Sequence, residues 1–232
     1  WVCFLLYWTI QVKFYIERVL MNRIQTPIFE LKNIRVNYGN NTALKIGNFK
    51  FHRGTVYGIS GPIGCGKSTF LNLLSGRIFP TEGEILYEKD PYKKNWAGKI
   101  KLPDDIIICD TKTVLSSISV MQFLNSRFDD RVQELKKQYY SNNTRSQEWK
   151  TAIKMLSKGQ LQRLALISSI ESDPKVLIID DYGSHLDHET LKDFNKKLSH
   201  VARARGVTIV LASSHPKEIT SCLSVLLSLD NG

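Results

Sequence analysis

The sequence contains a glycine-rich stretch of eight residues, Gly61-Pro62-Ile63-Gly64-Cys65-Gly66-Lys67-Ser68. A short apolar stretch (55–60) precedes them and a helical pattern (67–77) follows, which is the strand, loop and helix order of a phosphate-binding loop. The three glycines let backbone N–H groups turn toward phosphate oxygens, and the N-terminal end of the helix attracts the same charge. Lys67 adds a cation and Ser68 a hydroxyl ligand for Mg²⁺. The stretch, with Thr69 after it, therefore predicts binding of a nucleoside triphosphate.

Strand and helix patterns alternate along the rest of the chain. Residues 28–36 alternate like a strand, a second extended stretch covers 44–51, and short strands are expected at 84–87 and 105–109. Three apolar runs (176–179, 207–212 and 223–229) resemble buried parallel strands, and helices are expected at 158–172 and 188–205. This alternation predicts an α/β domain, a P-loop NTPase fold with a mainly parallel central sheet. The antiparallel strands would form a β subdomain.

Residues 111–160 form a mostly helical pattern with a polar break at 141–144. We expect this segment to be a helical lobe inserted into the sheet of a single domain, 21–232.

An acidic pair follows the apolar run 176–179. Asp180 would hold the Mg²⁺ shell and Asp181 would face the attacking water, because a metal-bound triphosphate needs a carboxylate at the tip of a nearby strand. A strand that ends in acidic residues is common in α/β proteins, so the pair indicates a hydrolytic site only in combination with the phosphate loop upstream.

The segment Leu156-Ser157-Lys158-Gly159-Gln160 resembles the signature of ATP-binding cassette (ABC) ATPases. The order of motifs is also similar: Tyr38, the phosphate loop, the signature, the acidic strand, Ser184-His185-Leu186-Asp187, and His215. The resemblance covers roughly residues 28–230 and is carried by the register of these motifs, since each is short on its own.

This resemblance implies roles for residues outside the loop. Tyr38 would stack on adenine, although Gly39-Asn40 beside it also suits a surface turn. Ser157, Gly159 and Gln160 would contact the γ-phosphate of a nucleotide bound to the opposite subunit, although Ser157 could simply cap a helix.

Two further roles follow from the resemblance. Asp187 would lie at the dimer seam or would only cap the next helix. His215 would sense the γ-phosphate, although a lone histidine after a strand is usually structural.

Two positions depart from the family pattern. Asp181 stands where the family usually has glutamate, and its carboxylate is one methylene shorter. Asp110 stands where a glutamine is usual; it can still ligate Mg²⁺, but it adds negative charge beside the phosphates. Both departures predict slower hydrolysis without loss of nucleotide binding.

Composition narrows the remaining function classes. The 232 residues are 42% hydrophobic and carry a net charge of +10, which suits nucleic acid, an anionic membrane surface or simply a solvated basic face. Cys3, Cys65, Cys109 and Cys222 show no metal-type or paired spacing, which argues against zinc and disulfides. We expect no nucleic-acid partner. Soluble ABC ATPases that act on DNA or ribosomes usually carry a long coiled-coil insertion or two cassettes, and neither fits in 232 residues.

The first twenty residues are apolar at their start, and the apolar run is short for a membrane span. We expect residues 1–20 to be non-native or an extension, with Met21 as the native start; a membrane-surface helix is the alternative.

The resemblance implies an ATP-hydrolysing subunit that uses Mg²⁺ and pairs with a second cassette, as a homodimer. It would energise transport through separate transmembrane permease subunits from the cytoplasmic face of the membrane. A nucleotide-dependent switch with slow hydrolysis, or a soluble ABC ATPase that is not a transporter, are the alternatives.

Overall fold

The computed structural model describes residues 27–92, 103–141, 143–213 and 216–230. The predictions for residues 1–20 and for His215 fall outside these ranges.

Ten strands are present in the described ranges: β1 (Pro27–Tyr38), β2 (Asn41–Ile46), β3 (Phe49–His52), β4 (Val56–Ser60), β5 (Glu82–Tyr87), β6 (Asp90–Pro91), β7 (Ile106–Cys109), β8 (Val176–Ile179), β9 (Thr208–Ala212) and β10 (Val225–Ser228). They divide into an antiparallel sheet, in which β1 lies between β2 and β5 and also pairs with β3, and a parallel sheet in the order β10-β4-β9-β8-β7.

The parallel sheet forms the centre of the domain because both of its faces are apolar. In β8, Leu177 and Ile179 pack into one hydrophobic cluster, and Val176 and Ile178 pack into the other. Successive side chains of a strand point to opposite faces, so a continuous apolar run is required where both faces are covered. The parallel sheet is therefore sandwiched between two cores.

Aromatic side chains join the antiparallel sheet to the parallel one. Phe51 of β3 packs against Tyr57 of β4 with ring centroids 4.6 Å apart, and against Phe70 at 6.0 Å. The backbone N–H of His52 donates to the Tyr57 hydroxyl oxygen at 2.8 Å, which satisfies that buried polar group. These contacts hold the β subdomain over the strand that leads into the phosphate loop.

Seven α-helices are described: α1 (Lys67–Leu74), α2 (Val120–Phe128), α3 (Val132–Tyr139), α4 (Asn143–Glu148), α5 (Lys158–Glu171), α6 (His188–Arg205) and α7 (Pro216–Ile219). Short 3₁₀ turns occupy Thr111–Thr113, Asp129–Arg131, Ile153–Met155 and Thr220–Cys222. Helices α2 to α4 lie in the chain between β7 and β8, the position expected for the inserted lobe.

A buried carboxylate ties these lobe helices to α6. The Glu171 side chain, 1% exposed at the end of α5, accepts from the Tyr139 hydroxyl at 2.6 Å and pairs with Arg131 at 2.7 Å and Lys197 at 3.1 Å. Burial alone would raise the Glu171 pKa, but these partners lower it below its usual range. The ionised carboxylate, at the end of α5, therefore links the lobe, through Arg131 and Tyr139, to α6, through Lys197.

The fold class is confirmed, with three corrections to individual elements. The stretch 44–51 is two strands, because the chain turns between Ile46 and Phe49. Helix α1 ends at Leu74, since Gly76 takes a left-handed backbone (φ 63°) that stops the helix. The polar break predicted at 141–144 is shorter, since α4 already begins at Asn143, and a second break falls at Asp129–Arg131.

Candidate functional site: a phosphate-loop cleft and a signature cleft

Parallel pairing brings three strand ends to the phosphate loop. Ile59 of β4 pairs with Ala212 of β9, and Leu211 of β9 pairs with Ile179 of β8. Because the carboxyl ends of parallel strands meet at one edge, the residues that follow these strands share one crevice. The sheet topology thus places the acidic pair beside the loop.

Glycine is required at two points of the loop. A Cβ at Gly66 (φ 98°) would lie 2.6 Å from the Ala43 carbonyl oxygen, and a Cβ at Gly61 (φ 150°) would lie 2.3 Å from the Leu229 carbonyl oxygen. Both positions also have the positive φ that L-residues rarely adopt. The loop can therefore lie this close to β2 and to the residue that follows β10 only with glycine at these positions.

The Lys67 side chain bends back over its own loop. Its Nζ donates to the carbonyl oxygens of Gly61 at 2.7 Å and Pro62 at 2.8 Å. These bonds hold the cation at the loop, where it can exchange carbonyl oxygens for phosphate oxygens.

A cleft of about 450 Å³ opens over the loop, which we call the phosphate-loop cleft. The structure brings nine of the predicted site residues to it: Tyr38, Ile63, Gly64, Gly66, Lys67, Ser68, Thr69, Asp180 and Asp181. Gly61, Pro62 and Cys65 belong to the loop but do not line this cleft, and Cys65 is buried. Ala43, Ala212 and Ser213 also line it and were missed, because only the packing of β2 and β9 beside the loop and its helix brings them there.

The acidic pair has an unusual backbone. Asp181 has φ 49°, in the left-handed region that few non-glycine residues adopt, and its N–H donates to Asp180 Oδ1 at 2.9 Å. The Asp181 carbonyl accepts from Gln162 Nε2 at 3.1 Å, and Gln162 Oε1 accepts from the His185 N–H at 3.3 Å. Gln162, which sequence reasoning also missed, therefore joins the signature helix to the acidic strand end.

Asp110 is engaged outside the cleft. Its Oδ1 accepts from the Lys112 N–H at 2.9 Å, and its Oδ2 lies 3.6 Å from Arg77 Nη2. It is not among the residues that line the phosphate-loop cleft. Its role as a metal ligand stays a prediction.

The signature residues line a second cleft of about 440 Å³, the signature cleft. Ser157 caps α5: its Oγ accepts from the Gln160 N–H at 3.2 Å, and Gln160 Oε1 accepts from the Ser157 N–H at 2.9 Å. Gly159 packs against the chain after β8, since a Cβ there would lie 2.4 Å from the His185 carbonyl oxygen. The helix cap considered from sequence is thus present, and the Ser157 hydroxyl can still donate its own hydrogen.

Asp187 shares the signature cleft and caps α6. Its two carboxylate oxygens accept from the Thr190 N–H at 2.8 Å and the Thr190 hydroxyl at 2.7 Å. The backbone hydrogen bond from Thr190 is the main reason that the Asp187 pKa is lowered. The carboxylate is therefore held ionised beside the signature.

The strand, the glycine loop and the helix define a P-loop nucleotide-binding fold. The model of the ABC transporter family matches residues 44–184, more than half of the chain. This chain belongs to the ABC transporter family, as the resemblance of its signature predicted.

Relatives of known name agree with this assignment. The chain is 28% identical over 218 residues to the spermidine/putrescine import ATP-binding protein PotA of Haemophilus ducreyi, covering 90% of this chain and 57% of the relative. The PotA of Spiroplasma citri is 27% identical, with 90% of this chain and 61% of the relative covered. The chain thus spans about three fifths of the length of these curated relatives.

Solved structures share the fold. CbiO1 of Clostridium perfringens, described as part of the ABC transporter complex cbiONQ, superimposes with a TM-score of 0.72 and 26% identity, covering 90% of this chain and 86% of that chain. A dimeric ATP-binding cassette bound to ADP and phosphate superimposes with a TM-score of 0.70 at 21% identity, covering 88% of this chain and 95% of that chain.

Proposed function

We propose that this chain is the ATP-hydrolysing subunit of an ABC transporter, and that it acts as a homodimer with two nucleotides between its subunits. One observation carries the proposal: the phosphate loop and the signature line two clefts that have no lining residue in common. Two copies in head-to-tail apposition would bring each phosphate loop opposite the other copy's signature.

In the phosphate-loop cleft, each predicted residue has a separate task. Tyr38, 56% exposed at the rim, offers a planar face for adenine. The loop amides and the start of α1 receive the phosphates, while Lys67 turns from its own carbonyls to the β- and γ-phosphates. Thr69 lies one position further along the same helix and lines the same cleft.

The donors in this cleft suit Mg²⁺. The Ser68 hydroxyl and the Asp180 carboxylate, both hard oxygen donors, line it together, and these two residues would hold the ion. When bound, Mg²⁺ neutralises charge that develops on the phosphates. Asp110 would join them only after leaving Lys112 and Arg77.

Asp181 would orient and deprotonate the attacking water, and His215 would contact the γ-phosphate. General-base assistance is worth roughly 10²–10⁴ in rate. Because Asp181 carries a short side chain on a left-handed backbone, we expect turnover to be slow. The same observation favours a second candidate function, a nucleotide-dependent switch that dimerises on ATP and hydrolyses it feebly.

From the opposite subunit, Ser157, Gly159 and Gln160 would receive the γ-phosphate at the N-terminal end of α5. Asp187, in the same cleft, would lie at the seam between the subunits.

Separate membrane subunits would complete the transporter. Among the described helices, none is both long and apolar enough to cross a bilayer. The first part of the lobe exposes three apolar side chains, Leu115 (59%), Ile118 (38%) and Met121 (42%), which suit a docking helix of a permease. The relatives' names, an import ATP-binding protein and a part of a transporter complex, support this partner. The chain would sit on the cytoplasmic face of the membrane, where its net charge of +10 favours the anionic leaflet.

ATP turnover of the full chain, compared with two substitutions at one position, tests the proposal. We expect Asp181→Asn to abolish turnover while MgATP still binds, and Asp181→Glu to raise it because the longer carboxylate reaches the water. If Asp181→Asn hydrolyses ATP as fast as the parent, Asp181 is not the base. Parental turnover near zero, with tight ATP-dependent dimerisation, would instead establish the switch.

A further inference from the structure

The signature cleft contains an arginine that the signature motif does not include. Arg145, from α4 in the lobe, lines this cleft with Ser157, Gly159 and Gln160. We propose that Arg145 binds the phosphates of the nucleotide held by the opposite subunit, as an additional residue of the composite site. This inference rests on the proposed homodimer.

The Arg145 side chain is held in place by a neutral partner. Its Nη2 donates to the Thr190 hydroxyl oxygen at 3.1 Å, and that hydroxyl donates onward to Asp187 at 2.7 Å. Within the described ranges Arg145 forms no ion pair with a carboxylate, whereas Arg131 and Arg163 each do. Its guanidinium is thus positioned by a hydroxyl; its charge also helps to lower the Asp187 pKa, but it is not neutralised by a direct ion pair and can still bind an anion in the cleft.

The other charged groups of the cleft are mostly committed to partners. Glu148 and Arg163, each 5% exposed, pair with each other at 2.5 Å. Asp187 caps α6, and Glu189 lies in the first turn of the same helix, where negative charge favours the helix dipole. Arg145 and the N-terminal end of α5 are therefore the features of this cleft suited to a phosphate.

One buried atom of the cleft also points to a ligand. Glu148 Oε1 has no hydrogen-bond partner among the described residues and belongs to a residue that lines the cleft, whereas Arg163 Nη2 is ion-paired with Glu148 Oε2. Buried polar atoms normally find a partner in the protein, in water or in a ligand. The water shell of a bound phosphate supplies a donor for this oxygen.

Sedimentation of the full chain with MgATP tests the proposal in a parent that carries Asp181→Asn to preserve the nucleotide. We expect Arg145→Ala to weaken ATP-dependent dimerisation about tenfold for each composite site, which corresponds to about 1.4 kcal/mol, because the variant loses a hydrogen bond between two charged groups. The MgATP affinity of the monomer should be unchanged. Arg145→Lys should keep part of the effect, since it retains charge but not the planar fork. Arg127→Ala removes the same charge from an exposed lobe helix and should leave dimerisation intact.

Mixed dimers show which subunit's Arg145 acts. Lys67→Ala chains, which lack a working phosphate loop, are mixed with parent chains, so that the single complete site uses the Lys67→Ala chain's Arg145. Adding Arg145→Ala to the parent chain should not weaken this mixed dimer, whereas adding it to the Lys67→Ala chain should weaken it about tenfold.

Four outcomes would overturn the inference. Equal losses from Arg145→Ala and Arg127→Ala would show only a general charge effect. A loss only when Arg145→Ala is on the parent chain would show that Arg145 acts within its own subunit, and equal losses in both mixed dimers would show that its effect does not depend on the bound nucleotide. A parent that binds MgATP but stays monomeric would overturn the homodimer, and the role of Arg145 with it.

Discussion

The phosphate-loop cleft and the signature cleft are nearly equal in volume, about 450 and 440 Å³, but they are built differently. The first is made of a glycine-rich backbone with a lysine bent over it. The second is made of a capped helix end surrounded by charged side chains, with Arg163 and Glu148 buried in its wall. Backbone amides can wrap a phosphate chain, whereas a single helix end can only meet its terminal group.

Because the two clefts are built differently, we expect substitutions in one cleft to leave the function of the other intact. Damage to the phosphate-loop cleft should remove nucleotide binding by the single chain. Damage to the signature cleft should leave that binding intact and weaken only the association of two chains.

Lys67→Ala should have the largest effect. Its ammonium is the cation of the phosphate-loop cleft, and each charged hydrogen bond that it makes to phosphate is worth about 1.5–3 kcal/mol. With two such bonds we expect MgATP affinity to fall at least about a hundredfold by titration calorimetry. Lys137→Ala, on an exposed turn of α3, is the matched control. Affinity within threefold of the parent would show that the lysine stays on its own carbonyls.

Gly66→Ala should have the second-largest effect, because it strains the backbone of the phosphate loop. The left-handed φ of 98° and the approach to the Ala43 carbonyl oxygen predict strain of about 1–3 kcal/mol. We expect a lower Tm together with weaker MgATP binding by the monomer. Gly47→Ala is the control, because a Cβ there meets nothing within 4 Å. Equal melting temperatures for the two variants would contradict the close packing of the loop.

Gly159→Ala, in the signature cleft, should weaken dimerisation and leave MgATP binding by the monomer intact, unlike the two phosphate-loop variants. A Cβ there would lie 2.4 Å from the His185 carbonyl oxygen, so the start of α5 must shift away from the acidic strand end. In the Asp181→Asn background we expect ATP-dependent dimerisation to weaken about tenfold, the loss of roughly one charged hydrogen bond, with unchanged MgATP affinity of the monomer. A loss of monomer binding would mean that the clefts are not independent.

Local sequence patterns predicted the elements whose ends carry their own stop signals. Helix α6 begins and ends where expected, because Asp187 caps it and Gly206, with φ 72°, ends it. Strand β8 also matches its apolar run, since only a strand covered on both faces needs four apolar residues in succession. The lobe was predicted less well, because the second break at Asp129–Arg131 has no glycine or proline to mark it.

That the glycine loop and the acidic pair lie in one cleft was predictable, because each follows an apolar strand of a parallel sheet. The remaining residues of the two clefts were not predictable, because packing between segments distant in the sequence determines their positions. Ala43, at the register shift between β1 and β2, meets the loop at Gly66, and Thr190 of α6 holds the Arg145 guanidinium in the signature cleft. A single sequence carries no local signal for either contact.

Asp187→Asn should have the smallest effect and should depend on pH. Asparagine also caps helices well, so the variant keeps the bond from the Thr190 N–H but loses the charge and the second oxygen that accepts from the Thr190 hydroxyl. The pKa of Asp187 is lowered in the folded chain, mainly by the Thr190 N–H, so its ionised form adds stability above the unfolded-state pKa of about 3.9. This stability is lost as the pH falls through the folded-state pKa.

Urea unfolding of the parent and of Asp187→Asn should therefore differ by less than about 1 kcal/mol at pH 7, with the parent more stable. The difference should shrink as the pH is lowered below about 4. Glu171 and Asp105 also have lowered pKa values, but they are present in both proteins and cancel in the difference. A difference that stays constant down to pH 3 would show that the charge of Asp187 does not stabilise the fold, which would leave the seam between subunits as the reason for an aspartate at this position.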